Sequence, residues 1–131
     1  MEHRLTILLL EDEPLIAMDL EYAAQDRGCI VLPSNSCAGA LALIEQQSEI
    51  HVAILDVSLG QDGTCFPVAR VLDQRAIPYI LHSGDLDRHN ERIRQLDAKL
   101  IAKPAAAERV IAAAIMHAQG DDSGTEALAV E

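Results

Sequence analysis

The sequence predicts an α/β protein: one parallel sheet of five strands with five helices covering both faces. Short apolar runs such as Val52-Ala53-Ile54-Leu55 lack a polar face and read as strands buried on both sides. They alternate with segments of helical periodicity, the pattern of a sheet joined by crossovers. Right-handed crossovers leave few topologies, and the order 2-1-3-4-5 is a common solution for five strands.

Taken in order, residues 5–10 form the first strand, stopped by Glu11-Asp12-Glu13-Pro14. Pro14 suits a helix's first turn, where a missing N–H costs nothing. That helix runs to about residue 27, with Leu15, Met18, Tyr22 and Ala23 on its inward stripe and Gly28 as terminator. Residues 29–32 form the second strand, closed by Pro33. Ser34, Asn35 and Ser36 offer an N-cap for a helix over 37–47, with Ala38, Leu41, Ala42 and Ile44 facing inward. The third strand ends at Asp56, and a Gly-containing loop follows.

The third helix spans about 65–75, with Val68, Val71 and Leu72 toward the core. The fourth strand, 78–82, ends at Ser83-Gly84-Asp85. The charged fourth helix, 87–96, has only Ile93 and Leu96 to anchor it. The fifth strand, 99–102, ends at Lys103-Pro104. An Ala-rich fifth helix over 105–118 carries Val110, Ile111, Ala114, Ile115 and Ala118 in its stripe. Residues 1–119 thus read as one domain, and the acidic, aperiodic stretch 120–131 as a disordered tail.

Composition narrows the function. A net charge of −11 argues against direct contact with nucleic acid, which needs clustered Lys and Arg. No apolar run approaches the ~20 residues of a membrane span, and the start lacks a signal-peptide pattern. Three cysteines, Cys29, Cys37 and Cys65, lack metal-like spacing and read as reduced thiols. Together these features point to the cytoplasm. His3, His51, His89 and His117 lack ligand spacing and read as surface residues. His82 beside Ser83 invites a Ser-His-Asp reading. Neighbouring strand residues point to opposite faces, however, and the nucleophile-elbow motif is absent.

Polar residues recur at four strand ends: Glu11 and Asp12, Asp56, Ser83, and Lys103. In the order 2-1-3-4-5 they converge beside the switch point between strands one and three. Each has a plainer reading: Glu11 and Asp12 as helix-start acids, Ser83 as a turn, Lys103 as a solvated lysine. Together they make a site. Three adjacent carboxylates resist joint ionisation, and a hard divalent cation relieves that repulsion. Mg²⁺ takes oxygen ligands and keeps several waters. Asp12 and Asp56 can ligate it directly, Glu11 through water, and the Ser58 carbonyl as the loop curls back. A cation, an ammonium, a hydroxyl and an exposed carboxylate suit phosphoryl transfer. Asp56 is then the natural nucleophile, forming an acyl phosphate.

With these residues in order, the chain resembles the receiver domains of two-component response regulators, a flavodoxin-like family. The likeness covers about 5–118. It implies that Asp56 accepts phosphate from a sensor histidine kinase. It also implies that Glu11 and Asp12 hold Mg²⁺, that Ser83 and Lys103 meet the phosphoryl group, and that the Lys103–Pro104 bond is cis. Such a domain regulates, and catalyses only its own phosphorylation and dephosphorylation.

Leu100 occupies the place where many receivers carry an aromatic switch. The Asp56-to-Gly63 loop and Phe66-Pro67-Val68-Ala69 are similar to a subfamily of stand-alone receivers lacking that aromatic. That subfamily's Phe-Ala-Thr-Gly-hydrophobic-Tyr hallmark is here Leu81-His82-Ser83-Gly84-Asp85-Leu86, which keeps the hydroxyl and the glycine. No output domain is expected after the last helix. Output then runs through a protein partner, on the face of the fourth helix, fifth strand and fifth helix, or the domain relays or sinks phosphate. Two alternatives are a binding module that works without phosphorylation and a small-molecule phosphatase or phosphotransferase. The complete acidic, hydroxyl and lysine set disfavours the first, and the lack of room for a cap domain disfavours the second.

Overall fold

The computed structural model describes residues 4–60, 63–84, 93, 95–96 and 98–120. Five parallel strands form one sheet in the order β2-β1-β3-β4-β5. They are β1 (Thr6–Leu10), β2 (Ile30–Ser34), β3 (Val52–Asp56), β4 (Tyr79–Ser83) and β5 (Lys99–Ala102). Among the described residues there are four helices: α1 (Pro14–Asp26), α2 (Cys37–Gln46), α3 (Phe66–Gln74) and α4 (Ala107–Ala118). The helix predicted over 87–96 and the tail predicted over 120–131 lie outside the described residues, apart from Ile93, Gln95, Leu96 and Gly120.

Every residue of β1, β3 and β4 is buried, because helices cover both faces. Alternation divides the core in two. Leu8, Leu10, Leu55 and Leu81 join the residues of α2 and α3, and Ile93 packs into this layer. Ile7, Leu9, Ile54, Ile80 and Ile101 join those of α1 and α4. The core is aliphatic, and Tyr79 is the one buried Tyr or Phe among the described residues.

Four sequence expectations are corrected. In α1 the buried face is Leu20, Ala23 and Ala24, with Ile16 and Ala17 packed alongside. Leu15, Met18 and Tyr22, expected inward, are 76%, 44% and 61% exposed. The helix has two apolar stripes, and the one rich in alanine faces inward because α1 lies against the Ala-rich α4. Small side chains let two helices and a sheet approach closely, where Tyr22 and Met18 would hold them apart.

In α2 the buried residues are Ala40 and Ile44, while Ala38 and Ala42 face solvent. Leu41 and Leu43 flank the buried pair, so a one-step rotation of the stripe separates expectation from outcome. The second strand does not stop at Pro33 but runs through it to Ser34. It is an edge strand, where a missing N–H is tolerated. His51, expected at the surface, is half-buried, and its Nδ1 accepts the Thr6 N–H at 2.9 Å.

Local chemistry fixes the turns that shape the site. The Ser36 hydroxyl accepts the Gly39 N–H at 3.1 Å and caps α2. After β3, Gly60 and Gly63 take φ of +60° and +88°, which L side chains rarely adopt. They fold the loop back so that the Leu59 N–H reaches the Gly63 carbonyl at 2.9 Å.

Candidate functional site

Sheet topology places the polar residues. Glu11 follows β1, Asp56 closes β3, and Lys103 follows β5. In strand phase they continue Leu9, Ile54 and Ile101, so all three lie on the α1/α4 side of the sheet's carboxyl edge. The Lys103 ammonium bridges them. Its Nζ lies 3.2 Å from Glu11 Oε1 and 3.2 Å from Asp56 Oδ2. A third carboxylate, Glu13 Oε2, is 3.1 Å away on the solvent side. The Lys103 N–H donates to the Ser83 carbonyl at 2.7 Å, which ties the lysine to the end of β4. The Lys103–Pro104 peptide bond is cis.

Glu11 and Asp56 are only 3% and 4% exposed. Asp12 is half-buried beside them, and one oxygen from each of Glu11, Asp12 and Asp56 lies within 4.8 Å of the others. A Cβ added at Gly60 would sit 3.5 Å from Asp12 Oδ2, so the loop after β3 closes onto this trio. Ser58 is exposed on that loop, in a bridge with Thr64. Ser83 is fully buried at the end of β4.

The electrostatics record an excess of negative charge. The Asp56 carboxyl is pushed up to about 8, first by burial, then by a hydrogen bond and like charge from Glu11. Lys103 opposes this without overcoming it. Burial alone would lower the Lys103 ammonium, but the charges of Asp56 and Glu11 outweigh it and raise its pKa. One ammonium among four carboxylates leaves a deficit of positive charge that a divalent cation would fill. The donors are all oxygen, two of them buried and close together, which suits Mg²⁺.

At the start of α1 the Glu11 carboxylate accepts the Glu13 N–H at 3.2 Å while also meeting Lys103. Glu13 occupies the N-cap position of α1 with no side-chain capping bond, and its carboxylate turns to Lys103. Sequence reasoning missed Glu13 as a site residue. The signal was its place as the third acid in Glu11-Asp12-Glu13, directly before Pro14. Leu100, at the position of the usual aromatic, is half-buried against the α2/α3 layer.

His82 is the second residue that sequence reasoning set aside. It lies on the opposite face from Ser83, in register with Asp56 across β3 and β4. It is 3% exposed, and neither ring nitrogen has a hydrogen-bond partner among the described residues. Burial first, then the Lys103 charge, pushes its pKa down to about 4, against a smaller opposing effect of Glu13, so the ring is neutral at neutral pH.

The sheet thus carries acids, a buried aspartate, a serine and a lysine at the ends of β1, β3, β4 and β5. No family model matches the sequence, and no curated protein matches it either. Solved structures do. The chain is similar to SdrG from Sphingomonas melonis Fr1, at 34% identity over 91% of this chain and 99% of that one, with a TM-score of 0.74. A response regulator receiver protein from Sinorhizobium medicae WSM419 is 24% identical, covers 91% of this chain and 98% of its own, and gives a TM-score of 0.80. The PhyR response regulator REC domain from Erythrobacter litoralis is 23% identical over 89% of this chain and 91% of its own, with a TM-score of 0.74. The last two likenesses establish the fold, and that to SdrG extends across nearly the whole of both chains at an identity that reaches family level. The chain belongs to the response regulator receiver domains.

Proposed function

We propose that this receiver is a phosphorylation-dependent switch whose acceptor is Asp56. One observation carries the reading: Lys103 joins Glu11 and Asp56 across three strand ends at 3.2 Å, with Asp12 beside them. The donor is the phosphohistidine of a sensor kinase. An Asp56 carboxylate oxygen forms the new O–P bond as the N–P bond breaks, and the departing imidazole keeps the electron pair and takes up a proton. Asp56 must be ionised to attack, so the factors that hold its proton have to be offset first.

Glu11, Asp12, Asp56 and the Ser58 carbonyl would hold Mg²⁺. The ion would neutralise charge on the transferring phosphoryl oxygens. Lys103 exchanges carboxylate partners for the phosphoryl group. Ser83, tied to Lys103 through the backbone, supplies a hydroxyl from β4. The signal then passes to a protein partner on the β5 and α4 side, or the domain serves as a relay or sink for phosphate.

Intact-mass measurement after treatment with acetyl phosphate and Mg²⁺ tests this. The parent protein should gain one phosphoryl group and Asp56→Asn none, while both give the same far-UV circular dichroism. Normal labelling of the variant would remove Asp56 from the role.

A further inference from the structure

A lysine ammonium has three N–H donors and no more. In Lys103 all three are taken: Nζ donates to Glu11 Oε2 at 3.3 Å, to Glu13 Oε2 at 3.1 Å and to Asp56 Oδ2 at 3.2 Å. A phosphoryl group approaching Asp56 therefore meets a lysine with no donor to spare until one carboxylate lets go. The three partners differ in what release costs. Glu11 and Asp56 are buried, and a buried carboxylate stripped of its counter-ion is left strongly destabilised. The Glu13 side chain is 59% exposed, so water replaces the lysine there at little cost. A cavity of about 370 Å³ lies beside the pair, with Glu13, Asp19 and Lys103 in its lining, and leaves the freed carboxylate room to turn. Glu13 has no second task at the start of α1, where it holds the N-cap position without a side-chain capping bond.

We infer that Glu13 is a positioning residue that restrains the phosphoryl site: its carboxylate competes with the incoming group for the Lys103 ammonium and must release it before Asp56 is modified. The inference rests on the reading of Asp56 as acceptor. Two effects act in one direction. The ion pair occupies the donor that the phosphoryl oxygens need while Asp56 is still paired. The charge of Glu13 also stands on the solvent side of the lysine, where an anion must arrive, and repels it. Asp19 lines the same cavity and is as open to solvent, but it is not among the partners of the ammonium. It contributes only diffuse charge.

Time courses of intact mass with acetyl phosphate and Mg²⁺, in which acetate leaves as the Asp56 O–P bond forms, separate these effects. Glu13→Gln and Asp19→Asn each remove one charge at an exposed position. Glu13→Gln should be labelled about two- to fivefold faster than the parent, the value of an exposed ion pair, and Asp19→Asn at the parent's rate. Beryllofluoride, a phosphoryl mimic followed by its fluorine signal, should bind Glu13→Gln more tightly by a similar factor. At about 1 M salt, where the screening length falls to about 3 Å, the parent and Glu13→Gln should converge. A merely structural role for Glu13 would move neither the affinity for the mimic nor its salt dependence. Equal labelling of the parent and Glu13→Gln would overturn the inference and leave Asp56 as the acceptor. A slower Glu13→Gln would overturn it too, as would an equal gain in Asp19→Asn, which would make the effect one of overall charge. A parent that takes no label at all would remove the acceptor reading, and the inference with it.

Discussion

Replacing His82 by leucine should change how stability depends on pH, and the size of the change follows from the geometry. Both ring nitrogens are buried without partners among the described residues, and the folded pKa is pushed from 6.5 to about 4. The unfolded chain therefore binds a proton on His82 across the window from 6.5 down to 4, and the folded chain does not. The state that binds more protons gains on acidification, so the parent loses stability as pH falls through 6.5 toward 4. The full loss is about 3 kcal/mol at about 1.4 kcal/mol per pKa unit, and about 2 kcal/mol of it has accrued by pH 5.

Asp56 acts in the opposite sense. Its carboxyl is raised from 3.8 to about 8, so the folded state binds the extra proton and gains on acidification through the same range. A pH profile of the parent alone mixes the two effects. The difference between His82→Leu and the parent cancels Asp56 and isolates the imidazole. At pH 8 the variant should be at least as stable as the parent, since leucine leaves no buried nitrogen unpaired. At pH 5 its advantage should grow by about 2 kcal/mol. Urea unfolding at the two pH values, with chelator present, measures this directly. A stability difference that stays constant from pH 8 to pH 5 would refute the claim that His82 is buried neutral and unpartnered.

Other outcomes follow from the same structure. Asp12→Ala should weaken Mg²⁺ binding at least about tenfold by removing one charged ligand, with unchanged folding; titration of amide shifts with Mg²⁺ measures it, and equal affinity would make Asp12 a bystander. Asp56 holds its proton up to about 8, so Mg²⁺ binding at pH 7 should release close to one proton and tighten as pH rises toward 8; calorimetry in buffers of different ionisation heat counts the protons, and a count of zero would contradict the assignment. Gly39→Ala should destabilise by about 1 kcal/mol despite its helix propensity, because the new Cβ would lie 2.5 Å from Ser34 Oγ and 3.2 Å from the capping Ser36 Oγ; a more stable variant in thermal unfolding would show that both serines move aside freely.

The sequence was most legible where one chemistry had one solution. Runs such as Leu8-Leu9-Leu10 and Ile54-Leu55 have no polar face, so they could only be central strands, and the topology followed from alternation. The strand-end residues were legible because topology alone brings them to one edge, and the structure places Glu11, Asp12, Asp56 and Lys103 together there. Helix phase was less legible. Alanine and leucine both count as apolar in a periodicity, yet close packing between α1 and α4 selects the alanine stripe and leaves Leu15 and Tyr22 outside. Glu13 and His82 were hidden for a different reason. Glu13 was marked only by its place in the acidic run before Pro14, since its role depends on how far a lysine reaches from β5, and the burial of both His82 nitrogens leaves no trace in spacing.

Pro33 has a consequence for what can associate with this domain. Ile30 donates its N–H to the Leu5 carbonyl, and the Ser34 carbonyl accepts from Glu11, so the even-numbered residues of β2 point their main chain at β1. The odd-numbered ones, Val31 and Pro33, therefore point theirs outward, along the sheet's open margin. Proline has no hydrogen to offer there. A foreign strand laid alongside would find only the Val31 donor over that length, too little to zip onto. Main-chain templating, the route by which exposed sheets seed fibres or capture extended peptides, is thus closed on this side. For a partner on this side, selectivity must then rest on side chains, which differ from one receiver to the next, and not on backbone, which does not.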